Sequence, residues 1–105
     1  MKRSEKLSVE FSRQVASAIS QTFPMQESGA FTVRNVEVLS DFSEARIWIS
    51  RIGGDADFFE RLEKAKNRIA KEVYKHIKIV KSPTLVFHED FTGESAEHME
   101  RLIRG

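Results

Sequence analysis

The residues of this sequence that could do chemistry are mostly basic, and they are concentrated in one segment. From Arg61 to Lys81 there are eight lysines or arginines and two acidic residues, a local net charge of +6. The rest of the chain has nine basic and fourteen acidic residues, so the overall formal charge of +1 conceals a polarised chain. Because lysine and arginine neutralise phosphates, the segment predicts contact with a nucleic acid; a solvated helix face is the alternative.

Helical spacing brings several of these basic residues together. Steps of seven, four and three residues predict one stripe along a helix, formed by Lys64, Lys71, Lys75 and Lys78. Three further basic residues flank that stripe: Lys66, Arg68 and Lys81. We expect four residues to carry much of the binding: Lys66, Arg68, Lys71 and Lys75. Three more are candidates for added contacts, with plain solvation as the alternative: Arg3, Lys6 and Arg46.

Other kinds of chemistry find little support in the sequence. The absence of cysteine excludes disulfides, thiolate metal sites and cysteine nucleophiles. His88, Glu89 and Asp90 superficially resemble a metal cluster, but a third ligand on one strand face is not evident. No serine–histidine–acid spacing and no phosphate-cradling glycine loop occurs. We therefore expect no catalytic residue, metal, cofactor or small-molecule substrate, and we expect that the chain is not an enzyme.

Length and composition indicate one globular domain spanning residues 1–105, since 105 residues are too few for two domains. Hydrophobic content of 40% and charged content of 31% are typical of a soluble protein. No stretch approaches transmembrane length, and no apolar run follows the basic N-terminus as it would in a secretory signal. We expect a cytoplasmic monomer.

The first third of the chain predicts a helix followed by a strand. A helix over residues 4–23 is indicated by apolar residues at steps of three and four, with Ser4 as its N-cap and Pro24 as its stop. Residues 26–30 are predicted to form a polar loop. Alternation then predicts a strand over residues 31–39, and its change of phase indicates a bulge near Asn35.

A second strand and an antiparallel hairpin follow a turn at residues 41–43. Three residues are predicted to face the core: Ala45, Ile47 and Ile49. Trp48 lies on the opposite face of the strand. The first helix could cover that face, which would give Trp48 a structural role; the alternative is that Trp48 stacks on an RNA base.

The remaining residues predict helices, a third strand and a last helix. Gly53 and Gly54 end the second strand, and Asp55 or Asp57 is predicted to cap a helical face over residues 56–77. A kink is expected at Ala65-Lys66-Asn67, because asparagine tolerates left-handed and cap conformations. Pro83 precedes a strand at residues 84–87, and a final helix is predicted to start at Thr92 or Ser95, with four residues facing inward: Ala96, Met99, Leu102 and Ile103.

This order is an α+β fold with helices on one face of a three-stranded sheet, and it is the type II KH arrangement of helix, two strands, kinked helix pair and strand. Four collinear blocks resemble the ribosome-binding factor A family. The first three are Arg3 to Glu10, the strand and turn over 36–50, and Ala65-Lys66-Asn67 with Ile69, which falls where the family has alanine, any residue, glycine and then isoleucine. The fourth runs from Pro83-Thr84-Leu85-Val86-Phe87 to Asp90 and Thr92.

The chain departs from the family pattern at several positions. Asn67 replaces the kink glycine, Leu39 replaces a serine before the turn, and Ala70 and Val80 stand where arginine is common. The Asp-Pro of the first loop and the long charged tail of many members are absent.

The resemblance implies a non-enzymatic factor that binds the free small ribosomal subunit and its 16S rRNA. Such a factor assists late maturation of the subunit, including processing of the rRNA 5′ end. In KH domains RNA approaches the junction of two helices, which here is Lys66-Asn67-Arg68. The alternative is a protein–protein module whose acidic C-terminus docks a ribosomal or other basic protein without direct RNA binding; its acidic residues are Glu89, Asp90, Glu94, Glu97 and Glu100.

Overall fold

The computed structural model describes residues 3–91, and their side chains from Leu7 onward. The predicted final helix, with its four inward-facing residues, lies outside the described residues. Two helices precede the sheet: α1 (Arg3–Thr22) and α2 (Met25–Ser28). The remaining elements, in chain order, are β1 (Ala30–Val38), β2 (Glu44–Ile52), α3 (Phe58–Lys64), α4 (Lys66–Tyr74) and β3 (Thr84–Glu89).

The three strands form one mixed sheet in the order β1-β2-β3. β1 and β2 pair antiparallel as a hairpin, whereas β2 and β3 pair parallel because α3 and α4 carry the chain back across the sheet. The α+β fold and the KH-like order of elements predicted from the sequence are therefore confirmed. α1 packs beside β1, and α3 and α4 pack beside β3, so the two edges of the sheet lie under different helices.

The core lies between the helices and one face of the sheet. Ala45, Ile47 and Ile49 of β2 are completely buried, as their alternation predicted. They meet fully buried residues from three helices: Phe11, Val15, Ile19, Phe58, Leu62, Ile69 and Val73. Burial of these apolar side chains is the main stabilising term of the fold.

Local details of the hairpin also agree with the sequence. The register shifts between Val33 and Asn35, which leaves Arg34 as the extra residue of a bulge and confirms the predicted change of phase. In the turn, the Asp41 carboxylate accepts hydrogen bonds from the backbone N–H and the hydroxyl of Ser43, at 3.0 and 2.7 Å. These bonds lower the pKa of Asp41.

Several predicted boundaries are wrong. Ser4 lies inside α1 rather than at its cap, and residues 26–28 of the expected polar loop belong to the helix α2, whose N-cap is Pro24. Asp57 occupies the N-cap position of α3 but makes no capping hydrogen bond with its side chain. The second helix of the kinked pair ends at Tyr74, although Ile77 is still buried. An apolar residue at helical spacing can also pack on the core from outside the helix, so periodicity overestimated the length of this helix.

Candidate nucleic-acid interface

The junction between α3 and α4 is where the sequence placed it. α3 ends at Lys64 and α4 begins at Lys66, with Ala65 between them at φ −93° and ψ 2°. The Ala65 N–H donates to the carbonyls of Arg61 and Leu62 at 3.0 and 3.1 Å, and its own carbonyl accepts from Ile69 N–H at 3.0 Å. Ala65 thus ends one helix and starts the next.

The predicted reason for the kink is wrong, although the kink exists. Asn67 lies within α4, and in the described residues Phe42 alone among non-glycine residues has a positive φ. The turn is made in the sparsely populated region near φ −90° and ψ 0°, which alanine can occupy. Because residue 67 does not need a left-handed backbone, asparagine in place of the family's glycine causes no backbone strain at the junction.

The basic residues do not form one continuous helical stripe, which corrects the sequence prediction. Lys64 is the last residue of α3, Lys71 lies in α4, Lys75 is the C-cap and Lys78 follows the helix. The break at Ala65 and the early end at Tyr74 divide the set over three successive segments. All four side chains are exposed, as are Asn67 and Arg68; Lys66 is half-buried.

Ion pairs divide these residues into two groups. Lys66 pairs with Glu63 at 2.6 Å and Lys75 with Glu72 at 2.8 Å, each three residues apart in the sequence. The bond from Lys75 lowers the pKa of Glu72. Within residues 7–91, the other group makes no ion pair: Lys64, Arg68, Lys71 and Lys78. That second group offers its full charge to an incoming phosphate.

Arg61 is the first residue of the basic segment, but its guanidinium forms ion pairs within the protein. Its guanidinium contacts Glu27 at 2.9 Å and Asp55 at 3.1 Å, and it lies 5.7 Å from the centre of the Phe23 ring. The bond to Glu27 raises the pKa of Arg61. This residue joins α2 and the loop before α3 to the first turns of α3, so it is not part of the exposed basic surface.

Arg46 and Trp48 lie on the sheet face opposite the buried residues of β2, away from α4. Arg46 pairs with Glu44 at 3.2 Å. Trp48 is half-buried and stacks on His88, with ring centres 5.2 Å apart and an angle of 22° between the rings. The first helix, which could have covered Trp48, packs on the other face of the sheet. The structure does not bring Arg46 to the junction.

Arg3 and Lys6 belong to the first two turns of α1, and their side chains lie outside the described part. The same end of α1 is close to the segment after α4, since Leu7 and Glu10 line a groove with Tyr74 and Lys78. Within residues 3–91, every helix is too short or too polar to span a lipid bilayer. In the same residues, no three histidine, aspartate or glutamate side chains come together as metal ligands.

Solved structures of proteins from two bacteria share this fold. The crystal structure of ribosome-binding factor A from Thermus thermophilus superposes with a TM-score of 0.74 at 18% identity, covering 84% of this chain and 97% of that one. The solution structure of a putative ribosome-binding factor A from Thermotoga maritima gives 0.69 at 24% identity, covering 88% and 91%. A homology model of the Thermus thermophilus factor, fitted into a cryo-EM map of its complex with the 30S subunit, gives 0.70 at 18% identity, covering 81% and 92%.

Sequence comparison agrees over nearly the whole chain. The ribosome-binding factor A of Finegoldia magna is 30% identical over 109 residues, covering 99% of this chain and 90% of that protein. The factor of Desulfitobacterium hafniense is 26% identical over 106 residues, covering 98% and 85%. The family model of ribosome-binding factor A matches residues 3–103. The chain belongs to the ribosome-binding factor A family.

Proposed function

We propose that this chain is a cytoplasmic, monomeric assembly factor, a single KH type II-like domain, that binds the free 30S subunit through 16S rRNA. It assists late maturation of the subunit, including processing of the rRNA 5′ end. The observation that carries the proposal is the group of exposed, unpaired basic side chains around the α3–α4 junction and beyond it. The 30S complex of the Thermus thermophilus relative supports the choice of ligand.

The charges of this surface suit a phosphate backbone. Four exposed cations have no acidic partner within residues 7–91: Lys64, Arg68, Lys71 and Lys78. The ion pairs of Lys66 and Lys75 lie at the surface and are partly exposed to solvent, and surface pairs contribute little to stability, so both lysines can exchange a carboxylate for a phosphate. Phosphate contacts position a protein on RNA and supply most of its affinity, whereas they read no sequence.

The test is a matched pair of charge reversals. Arg68→Glu with Lys71→Glu changes two unpaired cations at the junction, and Arg13→Glu with Arg34→Glu changes two exposed cations on α1 and β1. Both variants alter the net charge equally, so a difference between them reports position rather than total charge. We expect the junction variant to lose binding to isolated 30S subunits at physiological salt and the control variant to retain it.

Two outcomes would refute the proposal. Equal affinity of the junction variant and the unmodified chain, with both folded by circular dichroism, would exclude the α3–α4 surface. Binding that persists through high salt and RNase treatment would indicate the protein–protein alternative, because a phosphate-led interaction weakens steeply as salt rises. For the 5′-end processing, cells that express only the junction variant should accumulate 16S rRNA with an unprocessed 5′ end.

A further inference from the structure

The strand β1 forms the edge of the sheet farthest from the proposed rRNA surface. The strand order places β1 and β3 at opposite edges, with α3 and α4 beside β3 and α1 beside β1. In the described residues β2 is the one strand that pairs with β1, and no other backbone hydrogen bond reaches it. An edge strand presents a row of unpaired N–H and C=O groups, which is a template for a further strand.

A groove runs along this edge between α1 and the first part of β1. One wall is a line of α1 residues one turn apart, from Val9 through Arg13 and Ala16 to Ser20. The other wall is β1 from Ala30 to Val33, and the segment Phe23-Pro24-Met25 closes one end. Helix and edge strand thus form the two walls of a groove that is open to solvent.

The groove carries apolar surface that the rest of the fold does not use. Val9 is 48% exposed and Met25 is 71% exposed, and both line the channel. Two of the five exposed large hydrophobic residues in the described part therefore line this groove. Contiguous exposed apolar surface of this kind is typical of interaction sites.

The bulge at Arg34 limits what this edge can bind. Pairing with β2 is regular from Ala30 to Val33 and shifts immediately afterwards, and the lining of the groove also stops at Val33. Bulges and charged residues on an edge oppose long edge-to-edge pairing between copies of a protein. A short extended segment fits the regular part, whereas a second copy of the nine-residue β1 would meet the bulge and its arginine.

We propose that this groove binds an extended segment of a partner protein, which adds as a fourth strand beside Ala30–Val33. Its backbone would pair with the free edge, and apolar side chains at alternate positions would lie between α1 and β1 against Val9 and Met25. This is the mode in which main-chain hydrogen bonds give affinity and pockets for alternate side chains give specificity.

The charges around the groove select the partner further. Arg13 lines the channel with its side chain 70% exposed, and its carboxylate partner Glu10 is 3.8 Å away, at the limit of an ion pair. Arg34 is exposed at the far end of the regular edge. Two cations beside an apolar channel fit a segment that carries at least one carboxylate. The site lies on the edge opposite α3 and α4, so one molecule can hold rRNA and such a segment together.

The experiment uses a displayed library of random short peptides, selected against the full chain. We expect the enriched peptides to alternate apolar and polar residues and to include aspartate or glutamate. On binding, the backbone amides of β1 that face outward should become protected from hydrogen exchange, as measured by NMR. Methylating alternate backbone nitrogens of a selected peptide should abolish binding in one register and leave it unchanged in the other.

Matched variants distinguish peptide binding in this groove from nonspecific binding to exposed apolar residues. Val9→Asp with Met25→Asp places charge in the channel, whereas Val80→Asp with Phe91→Asp changes two exposed apolar residues that do not line it. We expect the first pair to weaken peptide binding by about tenfold or more, the range of interface hot spots, and the second to leave it unchanged.

Three results would overturn the proposal. The first is a library that enriches no peptide, and the second is a set of enriched peptides that perturb α3 and α4 instead of β1. The third is protection of the outward amides of β1 in the free chain, which would show that this chain or a second copy already occupies the edge. None of these outcomes depends on rRNA binding, so the two proposals can fail separately.

Discussion

Replacing Gly29 by alanine should destabilise the fold strongly, because the new Cβ would clash with the end of β2. The same replacement at Gly53, where a Cβ has room, serves as the control. Gly29 follows α2 at φ +70°, and a Cβ there would lie 2.4 Å from the Gly53 carbonyl oxygen and 2.6 Å from that of Ile52. Gly53 itself has φ +76°, but a Cβ at Gly53 would meet nothing within 4 Å. Gly29→Ala therefore combines backbone strain with a clash, and Gly53→Ala carries the strain alone.

The magnitudes follow from these two contributions. A left-handed backbone costs a residue with a Cβ roughly 1–2 kcal/mol, which is the whole effect expected for Gly53→Ala. The clash at Gly29 is with backbone atoms at the end of β2, which move only if the strand moves, and overpacking of this kind adds about 1–3 kcal/mol. We expect urea denaturation to give a free energy of unfolding lower by about 2–5 kcal/mol for Gly29→Ala. Equal stability of the two variants would refute the close approach of the α2–β1 connection to β2.

Three further predictions concern the core, the rRNA surface and pH. Ile69→Ala, at a completely buried position of α4, should lower the free energy of unfolding by about 2–5 kcal/mol in urea denaturation, and a loss below about 1 kcal/mol would contradict its burial. Each phosphate contact contributes about 0.7–0.9 to the slope of log affinity against log salt, so Arg68→Gln with Lys71→Gln should flatten that slope for 30S binding by about 1.4–1.8; an unchanged slope would show that neither contacts phosphate. Burial raises the pKa of Tyr74 to about 12 from 10.0, so its contribution to stability is complete below pH 10.0 and is lost as the pH rises toward 12. Tyr74 is the only tyrosine, so ultraviolet absorbance of tyrosinate reports it directly, and titration near pH 10.0 in the folded chain would contradict the buried environment.

The features that sequence could predict are those set by local chemistry. Alternation in β2 gave the buried face, the phase change gave the bulge at Arg34, and the apolar spacing of α3 and α4 gave two helices on the core. The α+β fold is confirmed by the structure and its solved neighbours, and the family, with its non-enzymatic character, is confirmed by the family model. Pro24 ended α1 because the residue before proline is pushed out of the helical region.

What the sequence could not predict depends on contacts between distant residues. The contact of Arg61 with Glu27 joins distant parts of the chain and could not be predicted, whereas Asp57, four positions before Arg61 and 4.0 Å from it, was an available local signal. Charge and spacing alone do not separate Lys66 and Lys75, which form ion pairs, from the lysines that do not. Acidic residues three positions earlier were the available signal for these two pairs, because such neighbours share a helix face.

The face occupied by Trp48 was also beyond the reach of periodicity. Alternation placed Trp48 opposite Ile47 and Ile49, but it could not say which face α1 would cover. The stacking of Trp48 on His88 requires β3 to lie beside β2 in parallel, with those two residues in register. That pairing joins residues 40 positions apart and follows only from the complete topology.

The rRNA contact is tested most directly by co-sedimentation of the full chain with free 30S subunits, complete ribosomes and naked 16S rRNA across a salt series. The proposed function predicts that the chain pellets with free subunits at physiological salt, does not pellet with complete ribosomes, and is released steeply as salt rises. Absence of binding to any of the three at moderate salt would contradict it: the chain would then have the fold and family of the assembly factor without its rRNA contact.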